Sequence, residues 1–291
     1  METKYNFGPL TGDAIGRLEK EAVRRAMVII RNERPVTEVT AKENYDGTGT
    51  MDDVQTSGDR LAQEVYMRTI TECFQDYGVI AEEGKVRIEP KNGCTMYFTV
   101  DALDGTRAYI RGQSHGIGSM IALVDETTQE VLSAYIGDIN TEEVYGYRPG
   151  SDKVSRITRL DKFEELKYDD VPLSVGKSYI LLRDPLRAYS PTSNRLVQRF
   201  NSYNIEGSSI GIWAARLWKR EVKALLLPLG FETPWDSTPV IGISKKLGYL
   251  FMRPTEDGNG WEAFTPALPK VLTRRGHDML IIHKNDLGFV A

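Results

Sequence analysis

The chain has little with which to build a thiol or imidazole centre. Of its 291 residues two are cysteine, Cys73 and Cys94, and three are histidine, His115, His277 and His283. Neither cysteine lies in a C-x-x-C, so no zinc knuckle or dithiol redox pair is expected, and both read as reduced structural thiols. The scattered histidines do not suggest a zinc site. Positive charge is not in excess either. The formal net charge is −4 and the sequence pI about 5.6, so nothing draws the chain as a whole towards nucleic acid or an anionic membrane. No apolar run approaches the ~18 residues of a membrane span. The N-terminal METKYNFGPL lacks the basic-then-apolar order of a signal peptide. These absences predict a cytoplasmic protein without nucleic-acid or membrane partners.

What is present suffices for a large core. Hydrophobic residues make up 41% of the chain and charged residues 27%, a balance that keeps a globular protein soluble. At roughly 100–200 residues per domain, the length fits one large domain or two closely packed ones. Ile15, Leu18, Ala22, Ala26 and Ile30 recur at helical spacing, predicting an amphipathic helix from near Gly12 to Asn32, stopped by Pro35. Arg34 to Thr56 reads as a long polar loop, and loops of that length are often functional. A second helix is expected from Ser57, with Leu61, Val65, Thr69, Cys73 and Tyr77 as its buried stripe and Ala62, Tyr66 and Ile70 beside it.

The pattern then turns to strands at Val79–Ala81, Met96–Val100, Gly116–Asp125, Val131–Ile136 and Val144–Tyr147, with a hairpin or meander joined through DETTQ. Pro149-Gly150-Ser151-Asp152 punctuates the chain, and a subdomain boundary is placed near residues 150–175. That gives an N-terminal α+β half over 1–160 and a C-terminal α/β half over 161–291. The second half alternates strands at Tyr179–Leu182, Val222–Leu227 and Tyr249–Met252 with helices at Ser193–Tyr203, Ser208–Lys219 and Thr238–Lys246, which implies a layered α/β arrangement. Trp213 and Trp218 fall in the second of these helices, where core packing is their expected role rather than base stacking.

Three short segments carry chemistry. In VIAEEG, Glu82 and Glu83 follow an apolar strand. In VDALDGT, Asp101 and Asp104 leave another and meet Gly105-Thr106. In PWDSTP, Asp236 opens a helix. Buried strands deliver their terminal residues to fixed places, and carboxylates so delivered can converge on Mg²⁺, which takes oxygen ligands in a near-octahedral shell. The turn in D-A-L-D can aim both carboxylates and the Leu103 carbonyl to one side. Gly105 permits the tight bend, and the amides of Gly105 and Thr106 suit a phosphate oxygen. Taken singly, an E-E pair is ordinarily a solvated surface pair, D-x-x-D-G a turn and W-D an N-cap. Their order along one chain is what makes them specific.

At these residues the sequence resembles the inositol monophosphatase superfamily. VDALDGT is similar to that family's D-P-[IL]-D-G-T signature, AEEG to its acidic first motif and PWDSTP to its W-D motif. MDDVQTSGD, residues 51–59, resembles its D-x-V-T-x-x-D segment. The resemblance implies an α-β-α-β-α sandwich of the inositol monophosphatase and fructose-1,6-bisphosphatase type, two or three Mg²⁺ ions, and often a homodimer and lithium sensitivity. It implies that Glu82, Asp101, Asp104, Asp236 and the Leu103 carbonyl are metal ligands. Asp53 and Thr106 would activate or orient water, with Glu82 also among the catalytic groups. Gly105 and Thr106 would hold phosphate, and Gly207-Ser208-Ser209 resembles the segment lining the family's substrate pocket. Glu83, Lys42 and Arg107 are further candidates.

The implied activity is hydrolysis of a small phosphate ester by metal-activated water, with inositol monophosphate or a similar sugar phosphate first. Alternatives are 3′-phosphoadenosine 5′-phosphate and histidinol phosphate, because DGTRAYIRG is similar to the D-G-T-[KR]-x-[FY]-I stretch of the members that act on them, and fructose 1,6-bisphosphate. An alternative of another class is a catalytically weak regulatory member of the same fold. The sequence also departs from the family. Ala102 stands where proline is usual. The approach to the W-D reads LLLPLGFETPWD, with Pro228 near the place of the acidic residue that contacts the inositol ring and Glu232 nearer the motif.

Overall fold

The structure, a computed structural model, describes residues 5–41, 54–168 and 178–290. Helix α1 (Gly12–Glu33) starts where the Thr11 hydroxyl accepts the Ala14 amide and buries Ile15, Ala22, Val23, Ala26, Met27 and Ile30. Pro35 follows in a 3-10 turn over Arg34–Val36. The stretch read as loop carries two short strands, β1 (Val39–Ala41) and β2 (Val54–Thr56), paired antiparallel.

Helix α2 (Ser57–Cys73) begins on a capping box, Thr56 and Asp59 satisfying each other's backbone amides. Its buried row is Ala62, Tyr66 and Ile70, whereas Leu61 and Cys73 are exposed, which corrects the expected stripe. Apolar residues occupy both adjoining rows of this helix, so periodicity does not choose between them. The row holding the bulky Tyr66, whose hydroxyl lies 2.7 Å from that of Ser119, faces inward.

The first sheet is built from β3 (Gly78–Ala81), β4 (Arg87–Ile88), β5 (Met96–Asp104), β6 (Gly118–Asp125), β7 (Glu130–Asp138), β8 (Val144–Tyr147), β9 (Val154–Ile157) and β10 (Phe163–Leu166), with the short helix α3 (Thr106–Ile110) after β5. Its order is β10-β9-β8-β7-β6-β5-β3-β4, antiparallel except for β3 beside β5. Strands β5 and β6 are buried along their whole length, as expected of a sheet covered on both faces.

The remainder forms β11 (Tyr179–Leu182), α4 (Pro191–Val197), β12 (Ser202–Ile205), α5 (Ile210–Trp218), β13 (Ala224–Leu227), β14 (Gly230–Glu232), α6 (Pro234–Lys246), β15 (Tyr249–Pro254), β16 (Trp261–Phe264), β17 (Thr273–Arg275) and β18 (Met279–His283). The second sheet runs β12-β11-β13-β18-β15-β16, and β14 pairs with β17 in a separate ribbon. The helix expected over Ser193–Tyr203 is shorter. It starts on the Ser190 cap with Pro191 in its first turn, and Ser202–Ile205 becomes the edge strand parallel to β11.

Three cores separate five layers. One lies between α1 and α2 and the first sheet. The second lies between the two sheets, around α5 and α6, and contains Trp213, Trp218 and Trp235. The third lies between the second sheet and α4. This is the α-β-α-β-α sandwich, and its middle layer brings α6 against the end of β5.

Candidate metal centre

Strand β5 ends on Asp101-Ala102-Leu103-Asp104, and its register with β6 shifts between Asp101, opposite Met120, and Asp104, opposite Gly118. Such an irregularity re-aims side chains at a strand end. Asp236 stands in the first turn of α6, its Oδ2 accepting the Thr233 hydroxyl at 2.6 Å. Carboxylate oxygens of Asp101, Asp104 and Asp236 lie within 4.8 Å of one another. Glu82 follows β3, with its amide donating to the Val100 carbonyl at 3.2 Å, and it lines the same cleft.

The electrostatics of this group are set by burial and mutual repulsion. Asp101 is pushed well above the ordinary carboxylate range by burial first, and then by the charges of Glu82, Asp236 and Asp104. Burial, with the Asp236 charge, raises Asp104 to about 7, against hydrogen bonds from Ser209 and Gly211 and the charge of Arg183. Carboxyls crowded in a low dielectric hold protons unless positive charge arrives. The donors are all oxygen, the set that suits a hard divalent cation, so the residues present fit Mg²⁺.

Asp104 is held by the start of α5. Its Oδ2 accepts the Ser209 hydroxyl at 2.5 Å and the Gly211 amide at 2.9 Å, and its Oδ1 accepts the Ile210 amide at 3.1 Å. The close approach needs small residues. A Cβ on Gly211 would stand 2.5 Å from the Met120 sulfur. Gly105 has φ +93°, and a Cβ there would meet the Gly116 carbonyl oxygen at 2.4 Å. Ser208 has φ +131°, a strained conformation of the kind that clusters at functional sites.

A cleft of about 530 Å³ is lined by Glu82, Asp101, Leu103, Asp104, Asp236, Gly105, Thr106, Arg107, Gly207 and Ser208. The structure therefore gathers most of the residues singled out in the sequence. Ser209 is buried with its hydroxyl given to Asp104, although the sequence grouped it with substrate contacts. Glu83 is buried, its backbone clasped by Gln63 of α2 through bonds of 2.8 and 2.9 Å. Lys42 and Asp53 lie outside the described residues.

Two features were not assigned to the cleft from the sequence. Asp59 is fully buried, and its Oδ1 lies 3.2 Å from the Thr106 hydroxyl, which is also 3.1 Å from the Leu103 carbonyl oxygen. The T-x-x-D of a capping box marks Asp59 as a helix-start residue but not as a cleft residue. Arg183 and Asp184 follow β11 and line the cleft as well. Their amides donate to the Tyr189 hydroxyl, which itself donates to the Leu226 carbonyl. Their position past the carboxyl end of a parallel strand is the signal that could have found them.

A family model described as the inositol monophosphatase family matches residues 14–158, a stretch holding Glu82, Asp101 and Asp104. The chain belongs to the inositol monophosphatase superfamily. Over its length it is similar in fold to an inositol monophosphatase/NADP phosphatase complexed with Mg²⁺ and phosphate, with TM-score 0.69 and 16% identity, covering 94% of this chain and 92% of that one. It is likewise similar to the extragenic suppressor protein SuhB of Bartonella henselae, with TM-score 0.68 and 16% identity, covering 93% and 94%. A Nus factor SuhB of Xylella fastidiosa is 34% identical over 76 residues, 25% of this chain, and the match spans about a quarter (26%) of that relative's length. Within the superfamily architecture, the acidic centre occupies the junction of the first sheet with the middle helices.

Proposed function

We propose that this superfamily member is a Mg²⁺-dependent phosphomonoesterase acting on a small phosphate ester. The observation that carries this reading is the convergence of Asp101, Asp104 and Asp236 within 4.8 Å at a cleft that also presents Glu82, Thr106 and three arginines, Arg107, Arg111 and Arg183. Asp101, Asp104, Asp236, Glu82 and the Leu103 carbonyl would hold two or three Mg²⁺ ions. Bound there, such ions supply charge neutralisation of the phosphate and a lowered pKa for a coordinated water. The Mg²⁺ and phosphate of the structurally similar phosphatase complex support the assignment.

The chain's own groups then have distinct tasks. Gly105 and Thr106 offer amides to phosphate oxygens. The Thr106 hydroxyl donates to Asp59 and so turns its lone pair to the attacking water, orienting it; Glu82 receives that water's proton. Asp53 would share this work and Lys42 is a further candidate for the same site; both lie beyond the described residues. Glu83 is assigned to support Glu82 from behind, and Arg107, Gly207 and Ser208 to contact the ester.

Phosphate release from a panel of small esters, with Mg²⁺ and with EDTA, tests the reading. Turnover is expected with Mg²⁺ alone, and Asp104→Asn is expected to abolish it while the folded far-ultraviolet spectrum is kept. Full activity of that variant would refute the ligand assignment. A second reading, a regulatory protein that acts through a partner, is favoured by the name of the Xylella relative. A stoichiometric partner together with no turnover of any ester would select it.

A further inference from the structure

Helix α2 meets the acidic centre at two points. Asp59 and Gln63 stand one turn apart on it, so they share a face and lie about 6 Å apart along the axis. Asp59 reaches the Thr106 hydroxyl at 3.2 Å. Gln63 reaches the backbone of Glu83. Its Nε2 donates to the Glu83 carbonyl at 2.8 Å, and its Oε1 accepts the Glu83 amide at 2.9 Å. The helix is held in register by the capping box of Thr56 and Asp59 and by the contact of the Tyr66 hydroxyl with that of Ser119.

Glu82 needs such support because its strand stops there. Strand β3 is paired with β5 up to Ala81, and the Glu82 amide still donates to the Val100 carbonyl. The chain then turns through Glu83–Lys85, with φ of +67° at Gly84 and +51° at Lys85. A left-handed lysine persists only where its surroundings hold it. Glu83 is buried, and Gln63 supplies both the acceptor and the donor that its backbone requires. A neutral amide offers the two from adjacent atoms, whereas an ionised carboxylate only accepts.

We propose that Gln63 is a positioning residue of the metal centre: by holding the Glu83 backbone it fixes the Glu82 carboxylate, at a distance from the Thr106 hydroxyl that α2 sets. The roles of Glu82 and Thr106 towards water rest on the phosphatase reading. A misplacement of about 1 Å can lower a rate ~10²-fold, so a spacing fixed by one turn of helix has a measurable consequence.

Calorimetric titration of the full chain with Mg²⁺ tests the hold on Glu82. Gln63→Met removes both bonds and is expected to weaken binding about tenfold, at the low end of the effect of groups behind metal ligands. Gln63→Asn, whose amide falls one methylene short, should act in the same direction, and it carries the test if the methionine variant does not fold. In a Glu82→Gln background, Gln63→Met should add less than about twofold, since a residue acting through Glu82 has nothing left to position. Unchanged Mg²⁺ affinity with a lowered melting temperature would make Gln63 purely structural, and additive losses would mean that it acts elsewhere; either result overturns the proposal. At saturating Mg²⁺, phosphate release by Gln63→Met should show kcat about tenfold down and KM within about threefold of the parent. A full return of kcat there would overturn the spacing. If the parent binds Mg²⁺ and the variants behave as expected but no ester is hydrolysed, the phosphatase reading falls and the hold of Gln63 on the centre stands. Failure of the parent to bind Mg²⁺ removes both.

Discussion

Asp104 is a carboxylate that three neighbours hold in place. Ser209 is the neighbour whose loss is cleanest to test, because its hydroxyl serves Asp104 and also accepts the Ile212 amide as the cap of α5. Ser209→Ala leaves one oxygen of Asp104 without its shortest donor. Partners standing behind metal ligands typically contribute 10–100-fold in affinity or activity, so a drop of about that size in apparent Mg²⁺ affinity is expected. Loss of the cap should cost ~1 kcal/mol of stability. Titration of phosphate release against Mg²⁺ measures the first and thermal melting the second; unchanged Mg²⁺ dependence would show that Ser209 acts only as a cap. The acidic residues themselves were legible in the sequence, because strand ends, a D-x-x-D-G turn and a W-D helix start are local patterns. Ser209's hydrogen bond spans 105 positions of chain, and no local pattern encodes it.

Between elements, the contact of α1 with the first sheet contains a carboxyl of another kind. Glu19 is buried and accepts the Ser133 hydroxyl at 2.7 Å, and burial raises its pKa from 4.5 to about 8 despite that bond. The folded state therefore keeps a proton that the unfolded chain releases near pH 4.5. Stability on this account is fully present below that pH, falls as pH rises towards about 8 and is flat beyond. By pH 8 the loss is on the order of a few kcal/mol. Glu19→Gln keeps an acceptor for Ser133 and has no proton to lose. It should melt higher than the parent at pH 8, by roughly 2–4 °C per kcal/mol regained, with the difference closing towards pH 5. Parallel melting curves across that range would show that the carboxyl is neutral or compensated throughout. At this scale the sequence located α1, α2 and most strands, but it chose the wrong buried row of α2 and carried the helix of Ser193 too far. Doubly apolar α2 left its inward row open, and Ser202–Ile205 is a strand only because β11 lies beside it.

Across the whole molecule, the acidic centre joins both halves of the chain. Asp101 and Asp104 come from the first sheet, and Asp236 comes from a helix packed between the sheets. A cation bound to all three would act as a cross-link and would have to displace the protons that burial holds on Asp101 and Asp104. Mg²⁺ at a hundred times its dissociation constant should stabilise by ~2.7 kcal/mol. The gain in melting temperature is expected to be larger at pH 8 than at pH 6, on either side of the value of about 7 for Asp104. Asp236→Asn should shrink it, and a Mg²⁺ effect indifferent to pH and to that variant would place the ion elsewhere. The sequence by itself located the acidic segments and most helices and strands, because hydrophobic period and turn chemistry act over a few residues, while the α-β-α-β-α layering was implied by its resemblance to the superfamily. Only the tertiary structure decided that the Asp59 carboxylate reaches Thr106, that Arg183 borders two cavities, and that apolar residues from α5, α6 and three strands meet beside the acidic cleft. Those facts depend on which distant surfaces close against each other, and that is set by the packing of the two sheets around the middle helices rather than by any local run of residues.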